Sequence, residues 1–147
     1  MEGKVETYRR VDTLGKSQLD LILQVYDGAL KSLNRARENY EKEDFQTGYE
    51  DMERAKKFVT HLYTTLDLEK GGEVAANLSR LYAYVITQSY IVQATKDLEQ
   101  LEAINGVLRN LREGWAGLRE TNAAQATTER TESADAPTEE QSFVTTA

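Results

Sequence analysis

The amino-acid sequence predicts an all-α fold: an antiparallel up-down-up-down four-helix bundle with a short N-terminal arm and a disordered C-terminal tail. Three observations predict it. From Ser17 to Arg119 apolar residues recur every three or four positions, which is the period of a helix with one buried side. No proline interrupts that span, since the single proline is Pro137. The periodic stretches run to about 23 residues each, roughly 35 Å at the helical rise, and their short connections favour antiparallel neighbours.

The first helix is expected from Ser17 to about Glu41. Ser17-Gln-Leu-Asp20 reads as an imperfect capping box. Its inward stripe is Ile22, Tyr26, Ala29, Leu33, Ala36 and Tyr40, widened by Leu19, Leu23 and Leu30. The second runs from about Asp44 to Leu66 with Phe45, Tyr49, Met52, Ala55, Val59, Leu62 and Leu66 inward. Gly71-Gly72 reads as a stop ahead of the third helix, Glu73–Thr95, whose seam is Val74, Leu78, Leu81, Val85 and Val92. The fourth starts at Asp97, with Asp97-Leu-Glu-Gln100 as a second capping box, and ends near Arg119. Its seam is Leu101, Ile104, Leu108, Leu111, Trp115 and Leu118. Gly28, Gly48 and Gly106 lie inside helices, where glycine costs about 1 kcal/mol against alanine; close helix–helix approach is the reading for all three.

Three domain segments follow: an arm over 1–16, the bundle over 17–119 and an acidic, low-complexity tail over 120–147. The tail turns to Thr, Ala, Glu and Ser and loses its periodicity until Phe143-Val144, too little apolar surface to offset the entropy of ordering it. It holds six acids and one base, a net −5; the other 119 residues hold 19 acids and 17 bases, a net −2. The body is therefore close to neutral and has no basic patch for nucleic acid.

With 147 residues the chain is long enough for one core, and it has no cysteine for disulfides, thiol catalysis or thiolate metal sites. Its first residues lack an apolar h-region and no run approaches the roughly 18 apolar residues of a membrane span, so a cytoplasmic chain without membrane insertion is expected. The one histidine, His61, falls off the inward stripe of its helix. Leu62-Tyr63-Thr64-Thr65 follows it, without the lysine and small residues that a phosphoacceptor site would place one turn on. The acids Glu38, Glu41, Asp51, Glu53, Glu99 and Glu102 lie mainly off the apolar stripes, unlike the inward carboxylates of a di-metal bundle. No nucleophile, base and orienter can be assembled. The expectation is a protein that is not an enzyme and uses no cofactor or metal.

Binding remains, and the third helix has more apolar surface than one seam needs. Tyr82, Tyr84, Ile86, Tyr90 and Ile91 stand where a surface helix carries Lys or Glu. Either this helix is central to a larger bundle, or one side of it awaits a partner.

The residues here carry a resemblance. Tyr8-Arg-Arg-Val-Asp, Leu21-Ile-Leu-Gln-Val-Tyr26-Asp27-Gly28-Ala29, Leu66-Asp-Leu-Glu-Lys-Gly71-Gly72-Glu73-Val-Ala-Ala-Asn77-Leu78, Leu81-Tyr82-Ala83-Tyr84-Val85 and Leu108-Arg-Asn-Leu111-Arg-Glu-Gly-Trp115 follow in an order that resembles the flagellin-specific export chaperone family, FliS. The likeness spans about Tyr8 to Leu118. The chain departs from the family pattern at Gln18, where a proline is usual, at Thr87-Gln88 in place of a basic pair, and at Ala94-Thr95 in place of Ala-Asn.

The resemblance implies a cytoplasmic bundle that binds the disordered C-terminal segment of flagellin, prevents its premature polymerisation and supports flagellar type III export. The export gate or an assembly regulator would be additional partners, and the chaperone itself a monomer or weak homodimer. Binding would be helix-in-groove recognition with coupled folding of the client. The residues expected at that interface are Tyr8, Val11, Ile22, Tyr26, Leu78, Tyr82, Tyr84, Val85 and Ile91. Tyr8 and Val11 would belong to an arm that covers part of the groove when no client is bound, near Ile22 and Tyr26. The other reading left open is a non-catalytic structural or regulatory bundle that homodimerises through the apolar face of the third helix.

Overall fold

A computed structural model describes residues 17–131 of the chain, with side chains described as far as Thr121. Tyr8, Val11 and the arm containing them, and the tail from residue 132, lie outside the described residues. Four helices follow in order: α1 Gln18–Glu41, α2 Phe45–Thr64, α3 Leu68–Thr95 and α4 Leu98–Thr131.

Ser17 starts α1 with a complete capping box. Its hydroxyl accepts from the Asp20 backbone N–H at 3.1 Å, and the Asp20 carboxylate accepts from the Ser17 N–H at 3.0 Å. Asp44 caps α2 through the Thr47 N–H. Asp67 caps α3 through the N–H groups of Glu69 and Lys70. Asp97 caps α4 through Glu99 and Gln100, without the reciprocal half of a box, because the Gln100 amide turns to Gln88 instead. Each helix thus begins on a short side chain that satisfies orphan backbone donors.

Each helix packs against its neighbours in the chain, and α1 packs against α4 to close the ring. Hydrogen bonds and ion pairs across the seams set the directions. Arg119 meets Asp20 at 2.7 Å and Arg37 meets Glu102 at 3.4 Å, so α1 and α4 run antiparallel. Gln93 reaches the Tyr49 carbonyl and the Glu53 carboxylate across α2/α3, and Gln100 reaches Gln88 across α3/α4. The result is the up-down-up-down bundle expected from the sequence.

Two helices are rotated relative to the expected seams. On α2, Met52, Ala55, Val59 and Leu62 are buried as expected, but Phe45 and Tyr49 are exposed. The Tyr40 ring fills the inward side at that level against Gly48, where a Cβ would stand 2.6 Å from Tyr40 Cε1. Gly48 therefore takes the inward position and its bulkier neighbours flank it. On α3 the buried line is Gly71, Ala75, Leu78, Tyr82, Val85, Ser89 and Val92, while Val74 and Leu81 face outward. Each lies one residue, about 100° of helix rotation, from a buried position. Tyr82 replaces Leu81 in the seam because its hydroxyl finds a partner inside.

The ends also differ. Gly71-Gly72 does break the helix, but inside α3: one turn from Leu68 precedes Gly72, whose φ of 55° and ψ of −131° suit only glycine. Lys96, at φ 59°, closes α3 in the left-handed region. α4 passes its expected end near Arg119 and continues to Thr131, through a sequence of alanine and other residues that helices tolerate. Gly28 meets its reading, since a Cβ there would stand 2.6 Å from the Phe58 ring, whereas at Gly106 the nearest atom is a flexible Arg109 nitrogen at 3.8 Å.

The core is joined by one polar junction. Tyr26 of α1 is fully buried, its hydroxyl 2.5 Å from the Tyr82 hydroxyl of α3, and it accepts from the Trp115 indole N–H of α4 at 3.0 Å. Three helices meet on one oxygen. Burial pushes the Tyr26 and Tyr82 phenols above their ordinary range. Burial, aided by the Asp51 carboxylate, pushes Tyr40 from 10.0 up to about 12.

Tyr26→Phe leaves the Trp115 N–H and the Tyr82 hydroxyl without that oxygen, and is expected to lower stability by about 1–3 kcal/mol. A urea titration checks this as a lower midpoint at unchanged slope. The raised phenols also set an alkaline limit. Below pH 10 folded and unfolded chains both keep the proton and the contribution is full; above it the unfolded phenols ionise first. Stability should therefore be level up to about pH 10 and fall as pH rises toward 12, as read by denaturation midpoints across that range.

Candidate partner-binding surface

Residues 81–95 of α3 contain no charged side chain over four helical turns. One side of such a helix fills the core, and the remainder is left without the lysines and glutamates that normally face water. Val74, Leu81, Tyr84 and Ile91 recur at intervals of seven, three and seven, so they form one stripe along the outer side of α3. Their exposures are 50%, 36%, 42% and 42%.

The α4 wall beside them is also uncharged. Gln100, Ala103, Val107, Leu111, Gly114 and Leu118 share a face by steps of three and four. Val107, Leu111 and Leu118 are half-buried against the core, and Gly114 has open space where a Cβ would be. The Gln100 amide donates to Gln88 at 2.7 Å and, at 3.5 Å, to the Tyr84 hydroxyl, which places this face of α4 beside that side of α3. A shallow apolar groove therefore runs between the two helices, with polar groups at the Gln88/Gln100 end.

The opposite side of α3 is engaged. Tyr90 is exposed, but the buried Lys56 places Nζ 3.4 Å from its ring centroid while pairing with Glu53 at 2.7 Å. Lys96 lies 4.9 Å from the centroid of the exposed Phe45 ring. These aromatic faces carry cations already. No cation stacks on Tyr84 among the described residues.

The structure thus separates the expected interface residues. Ile22, Tyr26, Leu78, Tyr82 and Val85 belong to the core, so they are not surface contacts of the free chain. Tyr26 and Tyr82 are there because their hydroxyls satisfy each other, the feature that periodicity alone does not register. Tyr84 and Ile91 lie on the groove, and Val74 and Leu81, taken from the sequence as core, join them. Leu111 and Leu118, expected from the sequence in the α4 core seam, are half-buried on this uncharged α4 face. His61 is exposed on α2, and no group of His, Asp or Glu among the described residues could hold a metal ion.

Comparison with known proteins gives the context. Residues 1–122 match the family described as flagellar protein FliS. The chain is 36% identical over 103 residues to a flagellar secretion chaperone FliS of Salmonella typhimurium, covering 69% of this chain and 76% of that one. It is 32% identical over 98 residues to a flagellar secretion chaperone FliSB of Pseudomonas aeruginosa, covering 67% and 78%. In shape it is similar to a crystal structure of a bacterial flagellar chaperone, with a TM-score of 0.67 at 19% identity, over 80% of this chain and 98% of the other.

The division between groove and core has a direct check. Tyr84→Asp should leave thermal stability within about 0.5 kcal/mol of the parent, whereas Tyr82→Asp buries an unpaired carboxylate and should cost at least 3 kcal/mol, roughly. Thermal melts followed by circular dichroism read both.

Proposed function

This chain belongs to the FliS family of flagellar proteins, a family of flagellar secretion chaperones, and from that footing we propose that it binds the C-terminal segment of flagellin along the α3/α4 groove. The client would be held in the bacterial cytosol, unable to polymerise, until type III export takes it. What carries this reading is the uncharged outer face of α3 with Leu81, Tyr84 and Ile91 exposed beside an uncharged α4 wall. No helix among the described residues is long and apolar enough to cross a membrane.

The physical demands of the task agree with the residues. A disordered client must be ordered on binding, at about 2–5 kcal/mol, so the groove needs concentrated apolar anchors. Tyrosine offers a large rigid face for little rotamer entropy and keeps its hydroxyl in water. An amphipathic client helix would lay its apolar side against Leu81 and Val107, with its polar side outward. The Gln88/Gln100 amide pair would then meet a polar client group at one end. The family is one of secretion chaperones, a non-catalytic kind, which accords with a binding face.

A homodimer through the same face is the second reading, favoured by the same exposed stripe. Sedimentation separates them: the chaperone reading expects one-to-one association with a flagellin C-terminal peptide, and a tight dimer indifferent to the peptide would overturn it. Tyr84→Asp should weaken that peptide by about 2 kcal/mol or more, roughly 30-fold, in isothermal titration while helicity is retained.

A further inference from the structure

We propose that Gln88 and Gln100 are a specificity-determining pair at the end of the α3/α4 groove, which selects a client segment by one side-chain carboxamide, an Asn or a Gln. This rests on the reading of the groove given above and names the polar residue that the client must present. Gln88 stands one turn after Tyr84 on α3, and Gln100 lies in the first turn of α4. Both are half-buried, so their amides border the apolar stripe and stay within reach of solvent.

Donors and acceptors carry the inference. A side-chain amide has an NH2 group and an acceptor oxygen. The Gln100 NH2 is used twice, toward the Gln88 oxygen at 2.7 Å and, more weakly, toward the Tyr84 hydroxyl at 3.5 Å. The Gln88 NH2 and the Gln100 oxygen hydrogen-bond to no described residue. Turning both amides over exchanges their parts and again leaves one donor and one acceptor free. A group that satisfies both must offer an acceptor and a donor side by side. A carboxamide does so, whereas a carboxylate has only acceptors and an ammonium only donors. A hydroxyl carries both on one atom and meets two separate amides less well. The peptide groups of a helical client are already paired within its own helix.

The charged residues around the pair are turned elsewhere. Lys96 lies over the Phe45 ring on the α2 side, and the Asp97 carboxylate accepts from the Glu99 and Gln100 N–H groups. Glu99 is exposed, about 100° round α4 from Gln100. Glu102 is held by Arg37 and Arg109 on the α1 side, and Arg80, about two turns before Gln88, donates to Asn77. A charged client residue brought to the pair would lose water and gain half a match. An apolar one would leave both free amide groups unpaired. Leu81, Tyr84 and Ile91 give affinity but accept any apolar side chain of suitable size. The amide pair instead fixes where along the groove the client sits, as one polar position fixes register between packed helices.

A double-mutant cycle in the full chain tests this by isothermal titration with the flagellin C-terminal peptide. Each Asn and Gln of the peptide is replaced in turn by Ala, and every peptide is titrated against the parent chain, Gln88→Leu, Gln100→Leu and Tyr84→Asp. At one peptide position the replacement should weaken binding to the parent about tenfold and binding to either Gln variant less than about twofold. The acid of the same shape at that position, Asp for Asn or Glu for Gln, should restore nothing. In NMR spectra of the parent chain, the Gln88 side-chain NH2 signals should shift with the unmodified peptide and not with the Ala peptide. Gln variants that weaken all peptides equally have only a structural part at the α3/α4 seam, and that result overturns the proposal. If no position couples while Tyr84→Asp still weakens the peptide, the pair selects nothing and the groove reading stands. If Tyr84→Asp leaves the affinity unchanged, the groove reading fails and this proposal fails with it.

Discussion

The oxygen of Tyr26 is the point on which this bundle depends. A hydroxyl buried in a four-helix core is destabilising unless it finds partners, and this one finds two, from α3 and α4. Tyr26 and Tyr82 face each other across the ring, on helices that are not neighbours, so their contact fixes the rotation of α3 as well as its distance. That rotation places Tyr82 inside and, two residues later, Tyr84 outside. The groove follows from the junction: had Leu81 taken the inward position, a different side of α3 would face solvent.

α3 consequently carries two apolar faces, and the molecule treats them differently. Toward α2 its Tyr90 ring is covered by Lys56, whose charge is met by Glu53, and Gln93 of α3 donates to the same Glu53 carboxylate. Toward α4 nothing comparable is supplied among the described residues, apart from the glutamine pair at one end. An exposed apolar stripe of this length is an aggregation liability unless something occupies it.

The ion pairs have a secondary part in this. Arg37–Glu102, Arg112–Asp27 and Arg119–Asp20 lie along the α1/α4 seam and are partly exposed, where each contributes little to stability. Their effect is on pairing: with Asp20 also in the α1 cap, held below the usual carboxylate range by the Ser17 backbone N–H and then Arg119, they favour α4 beside α1. The α3/α4 seam has no such charged stitching among the described residues. These charged cross-links lie on the other side of α4 from the groove, whose own seam is bridged by the Gln100–Gln88 hydrogen bond.

Much of this architecture was legible in the sequence, because a helix announces itself by period and by caps. Ser17, Asp44 and Asp97 marked starts correctly, and the α1 stripe from Ile22 to Tyr40 is buried as read, as are Leu101, Ile104, Leu108 and Trp115 of the α4 seam, while Leu111 and Leu118 are only half-buried. Where one face is apolar and the rest charged, the period has a unique phase. On α3 it does not: with no charge from Leu81 to Thr95, a seam through Leu81 and one through Tyr82 fit the period equally well. Residue chemistry along the chain therefore determined the helices, their order and the excess of apolar surface. Only the tertiary structure decided which part of that excess is core, because the decision rests on hydrogen bonds from Tyr26 to residues 56 and 89 positions away, and no local pattern encodes them.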